Sequence, residues 1–266
     1  MSNVTDEFYT AKELSPQETT LLKSQDSRLV SEYKANILEI QASKYWDQFY
    51  KRNETRFFRD RHWTTREFVE LLSDNVENKA LFEVGCGVGN FIFPLVEENL
   101  KLQIFACDLS PRAVGLVKSH PLYDPSRITV FPCDITSNEV FSHIQENSLD
   151  IVTLIFVLSA IHPEKYLQTL KSIHKLLKPG GLLLFRDYGL YDMAQIRFKA
   201  GSKISDNFYM RQDGTRSYFF SLEGVKDIFE NAGFQIVFNS YINRRTVNKK
   251  ENIDVPRIFV QVKAVK

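Results

Sequence analysis

The stretch Leu81-Phe82-Glu83-Val84-Gly85-Cys86-Gly87-Val88-Gly89-Asn90 decides the fold. Leu81–Val84 reads as a short buried strand, the glycines at 85, 87 and 89 force a turn, and helical spacing runs from Asn90 to Glu98. Strand, glycine turn and helix open an α/β unit in which the backbone approaches a ligand closely. Two rival glycine loops fail at single positions. The dinucleotide fingerprint needs glycine at the sixth position of GxGxxG, where Asn90 stands, and the phosphate-gripping loop needs Gly-Lys-Ser/Thr, which is absent.

Further apolar runs closed by turn signals lie at Gln103–Cys107, Ile128–Pro132, Leu149–Ile155, Gly181–Arg186, Phe234–Tyr241 and Arg257–Val262. Helical stretches fall at Pro111–Lys118, Asn138–Ile144, Pro163–Leu177 and Leu222–Ala232. The alternation predicts an α/β, Rossmann-like fold: a seven-stranded, mostly parallel sheet with helices on both faces. Leu176-Leu177-Lys178-Pro179-Gly180-Gly181 predicts a sharp helix-to-strand turn before the fifth strand.

Two acids stand at strand ends. Asp108 closes Ile104-Phe105-Ala106-Cys107-Asp108, where an acid accepts both ribose hydroxyls of a nucleoside. Asp134 follows Pro132-Cys133, where its carboxylate can accept an adenine amino group. Either acid alone reads equally well as a solvated loop residue or a helix cap. Together with the glycine loop they sit at the carboxyl edge of one sheet, where open α/β sheets bind ligands. The set of Gly85, Gly87, Asp108 and Asp134 fits the S-adenosyl-L-methionine site of a methyltransferase.

The bulk numbers narrow the class. The 266 residues are 43% hydrophobic and 25% charged, enough for a sizeable core. A net charge of +1, from 34 basic and 33 acidic side chains, excludes a globally basic nucleic-acid binder but leaves room for local basic faces. Cys86, Cys107 and Cys133 give neither a disulfide framework nor a zinc site. The polar, acidic start is no signal peptide, and the apolar run Ile151–Ile161 is too short to span a bilayer. The expected location is the cytoplasm, extending to the nucleus.

Residues 1–14 lack apolar periodicity and read as disordered. Ser15-Pro16-Gln17-Glu18 then reads as an N-cap with proline at the first helical position and a capping box. Trp46 and Tyr50, four residues apart on a helix, share one face. That face is either a lid over the cofactor or ordinary packing against the main domain.

Longer strings carry a family resemblance. Trp46-Asp47-Gln48-Phe49-Tyr50, Phe57-Phe58-Arg59-Asp60-Arg61-His62-Trp63, Phe185-Arg186-Asp187-Tyr188-Gly189, Tyr209 to Phe220 and Arg245-Thr246-Val247-Asn248 closely resemble the methyltransferase-like enzymes that make 3-methylcytidine in tRNA anticodon loops. The resemblance spans roughly Tyr45 to Phe259. It implies modification of cytidine 32 (tRNA numbering), and the compact length resembles the branch that acts on serine tRNA and associates with seryl-tRNA synthetase. It also implies cofactor contacts from Trp46, Tyr50, Gly85, Asp108, Asp134 and the fourth-strand end at Ile155. The organisation that follows is a helical cap and RNA-facing segment over 15–64, and a catalytic domain over 65–266 with an insertion at 187–217.

Methylating cytosine N3 uses a free lone pair, so no proton is removed to make the nucleophile. Positive charge passes to the ring, and a carboxylate nearby would stabilise it. The expectation is an acid, with no metal and no cysteine nucleophile. Asp187, beside Arg186, is the candidate, and Asp60 is its rival; an Asp187–Arg186 structural ion pair is the plainer alternative. The clusters Arg56–Arg66, Arg197–Lys203, Arg211–Arg216 and Arg244–Lys250 supply cations and aromatic rings for a phosphate-binding rim. The competing readings are a small-molecule or protein N-methyltransferase on the same fold, and a non-catalytic binding subunit.

Overall fold

The computed structural model describes residues 6–72, 79–248 and 253–266. Strand β1 (Asp6–Phe8) precedes helices α1 (Pro16–Gln25), α2 (Glu32–Ile40), α3 (Ala42–Asn53) and the single turn α4 (Thr64–Glu67). Then β2 (Lys79–Val84), α5 (Ile92–Glu97), β3 (Leu102–Asp108), α6 (Pro111–Lys118), β4 (Ile128–Pro132), β5 (Leu149–Ile155), α7 (Tyr166–Leu176) and β6 (Leu177–Tyr188) follow. The insertion carries α8 (Met193–Ile196), β7 (Lys203–Ser205), β8 (Phe208–Met210) and β9 (Arg216–Tyr218), after which come α9 (Leu222–Asn231), β10 (Gln235–Asn248) and β11 (Ile253–Val265).

Among the described residues the main sheet runs β1-β10-β11-β6-β5-β2-β3-β4. The strands from β4 to β6 pair in parallel, and β11, β10 and β1 add antiparallel at the other edge. The seven expected strands are all present, with β1 as a short eighth at the edge. Asp6–Phe8 pairs with Tyr241–Asn243, so the expected disorder of residues 1–14 is corrected there, while residues 1–5 lie outside the described residues. A three-residue edge strand is too short to leave a periodic signature.

Period-two alternation sends neighbouring strand residues to opposite faces. Phe82 and Val84 pack with Leu170, Ile173, Val225 and Phe229 of α7 and α9. Leu81 packs with Ile92, Leu95, Val114 and Val117 of α5 and α6. Both layers are close-packed, so truncating fully buried Leu154 to Ala would remove about 2–5 kcal/mol.

Two local expectations change. The helix expected at Asn138–Ile144 shrinks to a 3₁₀ turn at Glu139–Ser142. The turn expected at Lys178–Gly181 is a bulged strand start: Leu149 pairs with Leu177 but Ile151 with Leu182, so the proline and glycines loop outward. Gly180, at φ 77°, supplies the left-handed residue this needs.

The N-terminal cap and the insertion pack together. Ser15 caps α1 with the expected reciprocal bonds to Glu18. Buried Gln25, at the end of α1, donates to the carbonyls of Gln195 and Phe198 and accepts from the Tyr209 hydroxyl at 2.9 Å. Strands β7, β8 and β9 form a separate antiparallel sheet. Strand order reverses between β2 and β5, and the crevice opens at their carboxyl ends.

Candidate active site: two cavities with a shared wall

The glycine loop follows β2, and its geometry strains any other residue. Gly85, Gly87 and Gly89 have φ of 64°, 55° and 89°. A Cβ at Gly85 would lie 2.6 Å from a Val157 methyl, and one at Gly87 would lie 2.8 Å from the Tyr50 hydroxyl. The loop thus fits closely under both the β5 end and the cap.

Asp108 ends β3 and is almost fully buried. Its Oδ2 accepts the Gly87 N–H at 2.8 Å and its Oδ1 the Ser110 N–H at 2.9 Å. Burial wins over these donors and pushes its pKa up to about 6. Asp134 follows β4, and its Oδ1 accepts both the N–H and the hydroxyl of Thr136, at 2.9 and 2.8 Å.

Helix α3 covers this edge. Phe49 and Tyr50 are buried, and Trp46 lies 6.1 Å from Tyr50, ring centroid to centroid. Three bonds pin the helix: Ser43 Oγ donates to the Leu109 carbonyl at 3.1 Å, and Asp47 accepts from Ser110 Oγ at 2.8 Å and from the Arg112 N–H at 3.2 Å. Burial raises the Tyr50 pKa well above the ordinary tyrosine value and keeps the hydroxyl neutral.

A cleft of about 930 Å³, counted out to its open mouth, lies between these parts. Trp46, Tyr50, Gly85, Asp108 and Asp134 all line it. Acids at the β3 and β4 ends and a glycine cradle at the β2 end fit a nucleoside with an extended tail. Ile155 does not line the cleft: it is 1% exposed, its side chain is in the core, and Phe156 and Val157 take its place on the wall.

A second cavity shares Trp46, Tyr50, Gly85, Phe156, Ala160 and Arg216 with the first and adds Arg61, Gly87, Asn90, Ser159, Tyr188 and Arg211. Phe156 is held at φ 60°, a conformation costing about 1–3 kcal/mol for a non-glycine residue. Its N–H donates to the Arg186 carbonyl at 2.8 Å, and its ring lies 5.2 Å from that of Tyr188. The Arg211 guanidinium sits 5.3 Å over the Tyr188 ring, and that of Arg61 5.6 Å over Phe156.

The structure places neither of the two expected catalytic side chains on a cavity wall. Asp187 is fully buried and lines neither cavity. Its Oδ2 accepts the Ser159 N–H and its Oδ1 the Tyr188 N–H, each at 2.9 Å, so it fixes two wall residues from behind. Burial pushes its pKa up to about 6. Arg186 points to the other face of β6, as strand alternation requires. Its guanidinium stacks 4.3 Å over Trp63 and pairs with Glu67 at 2.5 Å. Burial lowers its pKa to about 10. The two side chains form no ion pair with each other, because they lie on opposite faces. The rival Asp60 is exposed and accepts from Asn90 Nδ2 at 3.0 Å.

The basic clusters divide. Arg61, Arg211 and Arg216 reach the second cavity. Arg56, Arg59 and Arg66 stay exposed, whereas Lys203 is neutralised by Asp26 and Asp206 at 2.6 and 2.8 Å. Arg244 pairs with Glu67, and Lys249 and Lys250 lie outside the described residues. Phe156, Tyr188 and Ser159 were not singled out by sequence. Tyr188 sat inside a resembling string, but nothing in the composition marks a strained phenylalanine.

Fold, glycine cradle and strand-end acids together define a methyltransferase domain, and the family model described as "Methyltransferase domain" matches residues 52–238. The chain is 56% identical over 256 residues to the tRNA N(3)-cytidine methyltransferase METTL6 of Mus musculus, covering 95% of this chain and 90% of that protein. It is 40% identical over 283 residues to the tRNA N(3)-cytidine methyltransferase METTL2 of Danio rerio, covering 93% and 80%. The chain belongs to the family of tRNA N(3)-cytidine methyltransferases. Among solved structures, an S-adenosylmethionine-dependent methyltransferase of Anabaena variabilis aligns with a TM-score of 0.60 at 13% identity, covering 84% of this chain and 94% of that one, a likeness of fold.

Proposed function

We propose that this chain methylates N3 of cytidine 32 (tRNA numbering) in the anticodon loop of serine tRNA, using S-adenosyl-L-methionine. The observation that carries the reading is the adjacency of two unlike cavities. One has strand-end acids suited to a nucleoside cofactor, and the other has aromatic rings and guanidinium groups, with Phe156 and Gly85 on the common wall. Family membership supports tRNA cytidine as the substrate.

The cofactor supplies an electrophilic methyl on a sulfonium. Asp108 would accept from the ribose hydroxyls, Asp134 would accept from the adenine amine, and the glycine loop would let the tail pass close to the backbone. Trp46 and Tyr50 cover the cleft and exclude water. On the substrate side, an unpaired anticodon-loop base leaves its stack at small cost and enters the second cavity beside Phe156 and Tyr188. N3 needs no general base. Holding it in line with the methyl supplies much of the rate. As positive charge moves onto the ring, the faces of Phe156 and Tyr188 stabilise it. Asp187 acts by holding Ser159 and Tyr188 in place.

The exposed arginines of 52–66 form the phosphate-facing rim. With a net charge of only +1, affinity for tRNA is completed by a partner, seryl-tRNA synthetase, in the cytoplasm and nucleus. Nucleoside mass spectrometry of unmodified serine tRNA incubated with the protein and S-adenosylmethionine, with and without the synthetase, tests this, with Asp108→Ala as control. New 3-methylcytidine that is absent from the control supports the reading, and a higher yield with the synthetase supports the partner. Methylation of free amino acids or histones in place of tRNA would sink it.

A further inference from the structure

The dipeptide Cys-Asp occurs twice in the chain, at 107–108 and at 133–134. The two copies stand side by side. Strand β3 ends at Asp108, β4 ends at Pro132, and the two pair in parallel with Cys107 opposite Phe131. The Cys133 N–H then donates to the Asp108 carbonyl at 3.0 Å. Cys107, Phe131 and Cys133 pack in one layer of the core. The two thiols are within hydrogen-bonding reach of each other. That contact, together with burial, pushes the Cys107 pKa well above the ordinary thiol value. Buried thiols in apolar surroundings are ordinarily inert. This pair differs in lining the open cleft, beside the two acids that directly follow it in the chain. Cys86, the third cysteine, packs in the other layer and lines the second cavity.

We propose that Cys107 and Cys133 form a reversible disulfide when hydrogen peroxide enters the empty cleft, and that this bond shuts off cofactor binding. The proposal rests on the S-adenosylmethionine reading of the cleft. Cys133 is the more exposed thiol, at 5% against 1% for Cys107, and it reacts first. Its sulfur takes one oxygen of the peroxide to become a sulfenic acid, and water leaves. The Cys107 sulfur then attacks the Cys133 sulfur, and the hydroxyl departs with the Cys107 proton as a second water. Two thiols are oxidised to one disulfide while one peroxide is reduced to two waters. The firmly held Cys107 proton makes closure slow. Bonded sulfurs sit closer than touching ones, so the bond draws the two Cys-Asp steps together and takes Asp108 and Asp134 out of register with a nucleoside. A cofactor already in the cleft covers both thiols and protects them.

Peptide mapping of the cofactor-free protein after hydrogen peroxide tests the bond without any substitution. The expected product is a linked peptide joining Cys107 to Cys133, lighter by two hydrogens than its separate thiol halves, with Cys86 still open to alkylation. S-adenosylhomocysteine bound beforehand should suppress the link. By calorimetry, affinity for S-adenosylhomocysteine should fall about tenfold or more on oxidation and return with dithiothreitol. Cys133→Ala, compared with its own unoxidised sample, should show no such reversible loss. Absence of the linked peptide would overturn the proposal. So would a linked protein that binds S-adenosylhomocysteine unchanged, or a reversible loss of the same size in Cys133→Ala. If the reduced protein bound no S-adenosylhomocysteine, the cofactor reading itself would fall, and the switch with it, even where the linked peptide formed.

Discussion

The two cavities meet along one wall, yet they are made of opposite materials. The first cleft, proposed for the cofactor, is lined by Asp108, Asp134 and glycine backbone, and each of these sits where a strand of the parallel sheet ends. The second cavity, proposed for the substrate base, is lined by Arg61, Arg211, Phe156 and Tyr188, brought together from the cap, two strand ends and the insertion. The difference follows from what each must recognise. A nucleoside offers hydroxyl and amine donors, so acceptors on rigid strand ends suffice. A base on a polyanion offers a π face and phosphates, so rings and guanidinium groups are needed.

The largest effect should come from the cofactor side. Gly87→Ala places a methyl 2.8 Å from the Tyr50 hydroxyl in a residue at φ 55°. The strain alone is about 1–3 kcal/mol. The expected outcome is a loss of S-adenosylhomocysteine affinity on the order of a hundredfold by calorimetry. Adding Tyr50→Phe removes the clashing oxygen and should restore part of the loss. Full affinity in the single variant would show that cap and loop are not in contact in solution.

The substrate side should break differently. Tyr188→Ala removes one stacking face worth about 1–3 kcal/mol, or roughly five- to a hundredfold in methylation rate. Cofactor affinity should stay within about twofold of the starting value. If both fall together in titration and turnover, the two cavities are one site and the comparison fails.

A pH titration sharpens the contrast further. Asp108 has a pKa raised to about 6 by burial, above the roughly 3.9 of an exposed aspartate. The folded chain therefore holds this proton more tightly than the unfolded one. The stability from that preference is greatest at low pH and is lost as pH rises from about 4 to about 6. Ribose hydroxyls donate to the ionised form, so binding expels the proton. Affinity for S-adenosylhomocysteine should then fall up to about tenfold per unit as pH drops below about 6. Asp108→Asn should bind weakly and show a flat profile over that range, and a flat profile in the unaltered protein would remove Asp108 from the ribose.

The same division explains what the sequence discloses. Asp108, Asp134 and the glycines lie at fixed places in a strand–turn–helix rhythm, so a local window finds them. Trp46 and Tyr50 were legible as a shared helix face, and only the family resemblance pointed that face towards the cofactor. The substrate wall has no such window, because Arg61 and Arg211 are 150 positions apart in the chain. The placement of Asp187 and Arg186 away from the cavity walls has a single cause. They are adjacent in the sequence, but strand alternation sends them to opposite faces, and burial hides the acid behind Ser159 and Tyr188.

The smallest expected effect lies where the two sides are joined. Glu39, on α2 of the cap, pairs with Lys165 at 2.5 Å and with Arg216 on β9, and these residues also line the cofactor cleft. Burial opposes its ionisation, but the two cations hold its pKa below the usual carboxylate value. Glu39→Gln keeps the shape and one hydrogen-bonding oxygen while leaving the nearly buried Arg216 without its anion. Ser43 and Asp47 still pin α3, so the cap should loosen without detaching. Stopped-flow release of S-adenosylhomocysteine should quicken by about two- to fivefold, as for the loss of a solvent-accessible ion pair of up to about 1 kcal/mol. High salt should quicken release from the unaltered protein and leave the variant almost unmoved, since only the former has the pair to screen. Equal salt responses would mean that the cap is held by its apolar face alone, and Glu39 would then be a neutralising charge with no part in closure.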